Sequence, residues 1–236
     1  MGAHTFPNEF LENKNGFVDL ICDEMIPAIS DQGIAVFNDV FCEKGYFSPS
    51  QAKRILNVGK KYGLQPRLHA DEFSNSNAAK LAAEVKAVSA DHLMAVSDEG
   101  IIKMAKNNVI GILLPGTTFS LGQTNYAPFV NLREKGVEIA IATDFNPGSC
   151  FIKSMPFIMS LSCIYMKVPI LEALKACTYT AAKSLGLHEK IGSIEQGKNA
   201  DILIWNFDDI NLIPSHFLPN PISKVIKDGN LVLQLD

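Results

Sequence analysis

The chain has 236 residues, 47% of them hydrophobic and 19% charged, with a mean hydropathy of +0.11, which is enough apolar material to bury a large core and too much for a disordered polypeptide. A formal net charge of -4 and a pI of about 5.7, with Lys and Arg scattered along the chain, exclude an electrostatic footprint for nucleic acid or an anionic membrane and leave a small-molecule substrate as the expected partner. The cysteines, Cys22, Cys42, Cys150, Cys163 and Cys177, are odd in number and widely spaced without a C-x-x-C pair, and they read as reduced core thiols of a cytoplasmic protein.

In chain order, the first residues lack both the basic start and the apolar core of a signal peptide. Gly16 to Gly33 reads as helical, with Pro27 placed to start a second short helix inside it. Ile34 to Glu43, rich in Val, Ile and Phe, reads as a strand. Ser48 as N-cap, Pro49 at the first helical position and Gln51 three residues after the cap form a capping box. Ala52, Ile55, Leu56, Gly59 and Tyr62 then recur at helical spacing until Gly63.

The alternation repeats. Leu64 to His69 is a strand, Asn77 to Val88 a helix and Ser89 to Leu93 a brief strand. Ser97 caps a helix through Asn107, and Val109 to Leu114 is a buried strand running into Pro115-Gly116-Thr117-Thr118. Ala127 to Lys135 is helical and Val137 to Thr143 closes the series. These are about five parallel βα units, whose short strands fit a barrel better than an open sheet. Two helices follow, Phe151 to Met166 interrupted by Pro156, and Pro169 to Leu185 stopped by Gly186. Met155 to Met166, the longest uncharged apolar run late in the chain, falls short of the ~20 residues that span a bilayer. Gly192 to Trp205 contains a strand framed by glycine turns, and Ile222 to Leu235 is a β-hairpin around Asp228-Gly229.

In a parallel barrel the strand C-termini share the face on which active sites lie. Those ends are Glu43, His69, His92, Thr117 and Asp144, with His4 at the tip of an earlier strand. His69 is followed two and three residues on by Asp71 and Glu72, and Asp144 ends an apolar strand just before a Phe-Asn-Pro-Gly turn. Imidazole and carboxylate suit zinc or iron, so His69 and Asp144 are candidate metal ligands and Glu72 a candidate proton carrier. Each has a structural alternative. His69 can be a hydrogen-bonded strand-end histidine, His92 can orient a turn after Asp91, Asp144 can cap its turn, and Asp71 and Glu72 can be solvated loop charges. His188 and His216 read as surface residues. Gln123 and Tyr126, in the loop after Gly116, stand as substrate contacts that nothing in the sequence requires.

These residues carry a family likeness. Gly2-Ala3-His4, Asp39-Val40-Phe41-Cys42-Glu43, Leu68 to Glu72, Ser89 to Leu93, Leu113 to Thr117 and Ala142 to Ser149 together resemble the imidazolonepropionases, amidohydrolases of histidine degradation. Gly192 to Asp201 is similar to the return into the β-sandwich of amidohydrolases generally. The likeness covers essentially the whole chain. It implies an α/β fold, a TIM-type (β/α)8 barrel of the metal-dependent amidohydrolase kind, incomplete here. Residues 1–190 would form the barrel from the end of its third strand through its eighth, and 191–236 the C-terminal part of a β-sandwich subdomain.

By position, the resemblance implies metal ligation by His69 and Asp144. It implies handling of the attacking water and the ring carbonyl by Glu72 and His92, and substrate contacts by His4, Glu72, Asn146 and Gly148. Asp144 and Glu72 both remain candidates for the general base. One zinc or iron ion is the implied cofactor, and the implied reaction is hydrolytic opening of 4-imidazolone-5-propanoate to N-formimino-L-glutamate. The chain departs from the family in having no His-x-His pair. An eight-stranded barrel cannot close on about five strands, so the expected partner is a complementing N-terminal segment or a second copy in a homo-oligomer. A non-catalytic fragment that self-associates, and a hydrolase or deaminase of another cyclic amide or amidine, are the alternative readings.

Overall fold

The computed structural model describes residues 2–216 and 220–235. The first helix, α1 (Lys14–Leu20), starts at Asn13, whose side chain accepts from the Gly16 N–H. It continues through one π-helical turn (Ile21–Met25) into α2 (Ile26–Asp31), so the expected long helix is present. The wide turn falls immediately before Pro27, where the helix must absorb a missing N–H and the proline ring.

Then come β1 (Phe37–Cys42), α3 (Pro49–Lys61), β2 (Gln65–Ala70), α4 (Ala78–Glu84), β3 (Ser89–His92), α5 (Asp98–Lys106) and β4 (Ile110–Leu113). They are followed by α6 (Pro115–Ser120), α7 (Phe129–Glu134), β5 (Ile139–Ile141), α8 (Met155–Tyr165), α9 (Ile170–Cys177) and α10 (Tyr179–Ser184), and finally by β6 (Ile202–Trp205), β7 (Ile222–Lys227) and β8 (Asn230–Gln234). The sheet takes its strands in chain order, β1-β2-β3-β4-β5, as strands linked by helical crossovers do in a partial (β/α)8 barrel. The chain divides inside β4 into two compact units, Met1–Ile112 with Leu132–Glu138, and Leu113–Asn131 with Ile139–Asp236.

In the first unit, β1 to β4 pair in parallel. The row Val40–Leu68–Ala90 is fully buried and packs with α3 and α4, whose Ala52, Ile55, Leu56, Ala79 and Ala82 are buried as well. Ser48 caps α3 with the capping box read from the sequence. The neighbouring rows carry Asp39, Arg67 and Ser89, then Phe41, His69 and Asp91. The buried Val40–Leu68–Ala90 row thus lies on one side of the sheet, and the charged Asp39, Arg67, His69 and Asp91 lie on the other.

In the second unit the sequence needs three corrections. Pro115 to Ser120, expected as a loop, is helix α6, with Pro115 in the first turn where its lack of an N–H costs nothing. Pro156 does not interrupt α8; it lies in the first turn, behind the Ser154 cap. The helix expected over Pro169 to Leu185 breaks at Thr178 (φ -122°, ψ -86°) into α9 and α10. Gly192 packs against this break, where a Cβ would stand 2.8 Å from the Ala182 Cβ and 3.0 Å from the Thr178 carbonyl oxygen.

The hairpin β7–β8 turns on Asp228 (φ 49°) and Gly229 (φ 78°), a turn with two left-handed residues that suits Asp-Gly. Its antiparallel partner is β6. All five thiols are free, and among the described residues no helix is long and apolar enough to cross a membrane. Ser48→Ala removes the α3 cap and is expected to cost about 1 kcal/mol, read from the urea midpoint, with Ser48→Asp close to neutral.

Candidate active site

The parallel register places His69 beside Phe41 and Asp91 near the C-terminal ends of β1, β2 and β3. Phe41 donates its N–H to the Ala3 carbonyl, which brings His4 to the same ends. The His69 ring centroid lies 5.2 Å from that of His92 and 5.8 Å from that of His4. On its other side, His69 Nδ1 stands 2.7 Å from Asp39 Oδ2. That is the separation of a charged hydrogen bond, yet the ring N–H has no aligned acceptor, so distance and charge rather than donor direction hold the pair.

Burial works to deprotonate His69, but the Asp39 carboxylate outweighs it and raises the pKa to about 9. For Asp39 the burial penalty is likewise overcome, by the charge and contact of His69 and by Arg67, and its pKa falls. Asp91 lies 3.9 Å from Arg67, whose guanidinium covers the Phe37 ring at 5.1 Å, and burial lifts the Asp91 pKa to about 6.

Asp71 and Glu72, which the sequence allowed to be solvated loop charges, are both buried. Asp71 has φ 50° and accepts from the N–H groups of Ser76, Ala78 and Ala79, so it caps the start of α4. Glu43, at the end of β1, accepts from the Lys44, Phe73 and Ser74 N–H groups and from the Ser74 hydroxyl. Glu72 thus sits in a loop fastened by a carboxylate on each side.

Glu72 Oε2 lies 3.6 Å from His92 Nε2, beyond a direct hydrogen bond. His92 is 2% exposed and has φ 78°, with Leu93 following at φ 67°. This is a strained end to β3, held by the Leu93 N–H donating to the Ala70 carbonyl and the Ala95 N–H to the Asp71 carbonyl. Burial and the neighbouring His69 charge lower the His92 pKa to about 3, which leaves a neutral imidazole at physiological pH.

The structure thus brings His4, His69, Glu72 and His92 together. Sequence reasoning did not assign roles to Asp39 and Asp91. The available signal was their position: each alternates with a fully buried apolar neighbour, Val40 on β1 and Ala90 on β3.

In the second unit, Asp144 has φ 51° and receives a hydrogen bond from the Thr117 hydroxyl. The Asn146 side chain builds the following turn. Its Oδ1 accepts from the Gly148 and Ser149 N–H groups at 2.8 Å each, and its Nδ2 donates to the Asp144 carbonyl at 2.8 Å. Gly116 admits this arrangement, since a Cβ there would meet Ile158 Cδ1 at 2.7 Å and the Thr143 carbonyl oxygen at 3.1 Å. His188 and His216 lie in this unit, beside Glu189 and Leu212 respectively.

The donor chemistry of His69 and Asp144 suits a divalent or trivalent ion, and a carboxylate on the far ring nitrogen is the usual companion of a ligating imidazole. Among the described residues no group of three or more His, Cys, Asp or Glu is arranged to hold a metal by itself.

The sequence model of the amidohydrolase family matches residues 4–232. The chain is 47% identical over 233 residues to the imidazolonepropionase of Geobacillus thermodenitrificans and 44% identical over 234 residues to that of Alkaliphilus oremlandii, with 99% of this chain covered in both cases. It spans 55% and 56% of those relatives' lengths. Among solved structures it resembles a zinc-bound adenosine deaminase from Xanthomonas campestris (TM-score 0.75, 18% identity, 100% of this chain and 61% of that one). It also resembles a 5-methylcytosine deaminase from Klebsiella pneumoniae (TM-score 0.76, 16% identity, 99% and 63%). At such identities these two speak for the fold.

A His whose pKa rises on folding stabilises the folded state below its unfolded pKa of about 6.5 and ceases to do so as the pH passes its folded value. The metal-free chain is therefore expected to lose stability between pH about 6.5 and about 9, measured as urea midpoints, with a flatter limb in His69→Gln. Glu43→Ala frees the N–H groups of the Glu72 loop. It is expected to cost on the order of 2 kcal/mol and to speed hydrogen exchange at Phe73 and Ser74.

Proposed function

Because the chain belongs to the amidohydrolase family, we propose that it carries much of the active site of an imidazolonepropionase acting in cytoplasmic histidine degradation. The supporting observation is the 47% identity over 99% of the chain, together with the meeting of His4, His69, Glu72 and His92 at parallel strand ends. The substrate is 4-imidazolone-5-propanoate. Water adds to its ring carbonyl, the ring C–N bond breaks, and N-formimino-L-glutamate is released.

In this reading His69 supplies an imidazole ligand to a zinc or iron ion, and Asp144, oriented by Thr117, supplies a carboxylate. When bound, such an ion contributes Lewis acidity and makes water a stronger acid. Glu72 takes a proton from the attacking water and returns it to the departing ring nitrogen. Its loop is pinned through Glu43 and Asp71, so the carboxylate is held in place before substrate arrives. His92, neutral at physiological pH, donates a hydrogen bond to the carbonyl oxygen as negative charge develops there. His4 borders the substrate, and Asn146 and Gly148 shape the turn after β5.

The remaining ligands come from a complementing N-terminal segment that adds strands beside β1. Two features support this. The curated relatives extend well beyond the matched region, and a cavity of about 350 Å³ beside β1 is lined by apolar groups of Ile21, Met25, Ile29, Phe37 and Leu64. Co-expression of the chain with the N-terminal portion of a relative is expected to raise both bound metal and ring-opening activity. No gain in either would sink the reading. In the completed enzyme, Glu72→Gln and His92→Gln are each expected to lower turnover by roughly 10²-fold or more while metal content, read by elemental analysis, stays near that of the parent.

A further inference from the structure

We infer that Asp39 is a positioning residue, the side chain that fixes which nitrogen of His69 is offered to a ligand. The inference rests on the reading of His69 as a metal ligand and deepens it.

Asp39 lies on β1, two residues before Phe41, the register partner of His69. Its carboxylate nevertheless reaches across to His69 Nδ1 at 2.7 Å. The side chains are only 17% and 20% exposed for His69 and Asp39, so water competes weakly for either. When one ring nitrogen gives up its proton to a ligand, the Asp39 charge 2.7 Å from Nδ1 favours keeping the proton there and offering the Nε2 lone pair.

Asp39 is the group placed for this task. Asp91, the register partner of His69 on β3, lies near Arg67 at 3.9 Å instead. Glu72 reaches toward His92. Arg67 also shares the Asp39 row and stacks on Phe37 at 5.1 Å, which keeps a fixed cation beside the two aspartates. Without Asp39, the ring could present either nitrogen and either face, and a ligand set would lose one of its fixed members.

The test uses the 236-residue chain co-expressed with the N-terminal portion of a relative and zinc alone, with affinity read by competition against a chromophoric chelator and the nitrogen state of His69 read by long-range ¹H–¹⁵N correlation. Asp39→Ala is expected to weaken zinc binding by about 10–100-fold. Asp39→Asn, which keeps an acceptor without the charge, is expected to fall between. The zinc-bound parent should show a protonated Nδ1 and a zinc-bound Nε2, a pattern lost or mixed in Asp39→Ala.

Asp39→Asn also guards against a failure of Asp39→Ala to fold, checked by circular dichroism. Folded Asp39 variants that bind zinc as the parent does, with the same nitrogen pattern, overturn the inference even where His69→Ala abolishes binding. If His69→Ala also binds zinc like the parent, the ligand reading itself falls and takes the positioning role with it.

Discussion

The ion pair between Asp39 and His69 is the constraint around which the first unit is arranged. A parallel sheet covered by helices ordinarily reads as apolar on both faces, and here one face is, through Val40, Leu68 and Ala90. The other holds Asp39, Arg67, His69 and Asp91 within three adjacent strands. Charges in such a setting persist only when paired. Asp39 answers His69 at 2.7 Å, while Arg67 stands between the remaining carboxylate and the Phe37 ring. The buried apolar rows supply the stability against which these charges are tolerated.

The backbone around that pair is fixed in a way that also departs from regular structure. Asp71, His92 and Leu93 all take positive φ, a conformation that non-glycine residues adopt at a cost of order 1 kcal/mol each. The cost is met locally. Asp71 gains three N–H donors from the start of α4, and the ends of β2 and β3 are bonded to one another through Leu93 and Ala95. Glu43 fastens the same loop from the β1 side. These carboxylates act on the backbone, while the Glu72 carboxylate approaches His92 at 3.6 Å. Two neighbours in sequence, Asp71 and Glu72, therefore have opposite duties: one holds the loop and the other is held by it.

Much of this was legible in the sequence because it is local. The Ser48-Pro49-Gln51 capping box, the Asp228-Gly229 hairpin and the strand–helix alternation each depend on residues a few positions apart, and each is present. What was misread has two sources, an overlooked local cap and neighbours distant in sequence. Pro156 marks a break or a first turn according to whether a cap precedes it, and Ser154 does. The break at Thr178 follows from the close approach of Gly192, fourteen residues away in sequence and without any periodicity to announce it. Asp71 and Glu72 look like solvated charges until the N–H groups of α4 and the Glu43 side chain are counted. Asp39 was visible as part of a family pattern, but its reach to His69 on another strand is a matter of register.

The same register sets the pair on the first strand of the five-stranded sheet. β1 pairs in parallel with β2, and its Phe41 N–H donates to the Ala3 carbonyl. Asp39, whose side chain holds His69, lies on this outermost strand. A strand added beside β1 would shield the pair further, raise the effective strength of its attraction as water is excluded, and stiffen the imidazole that the pair aims. On the proposed function, a segment pairing with β1 would also lower the local dielectric around His69 and the Asp39 that orients it. The attraction that orients the ring and the packing that shields it would then strengthen together.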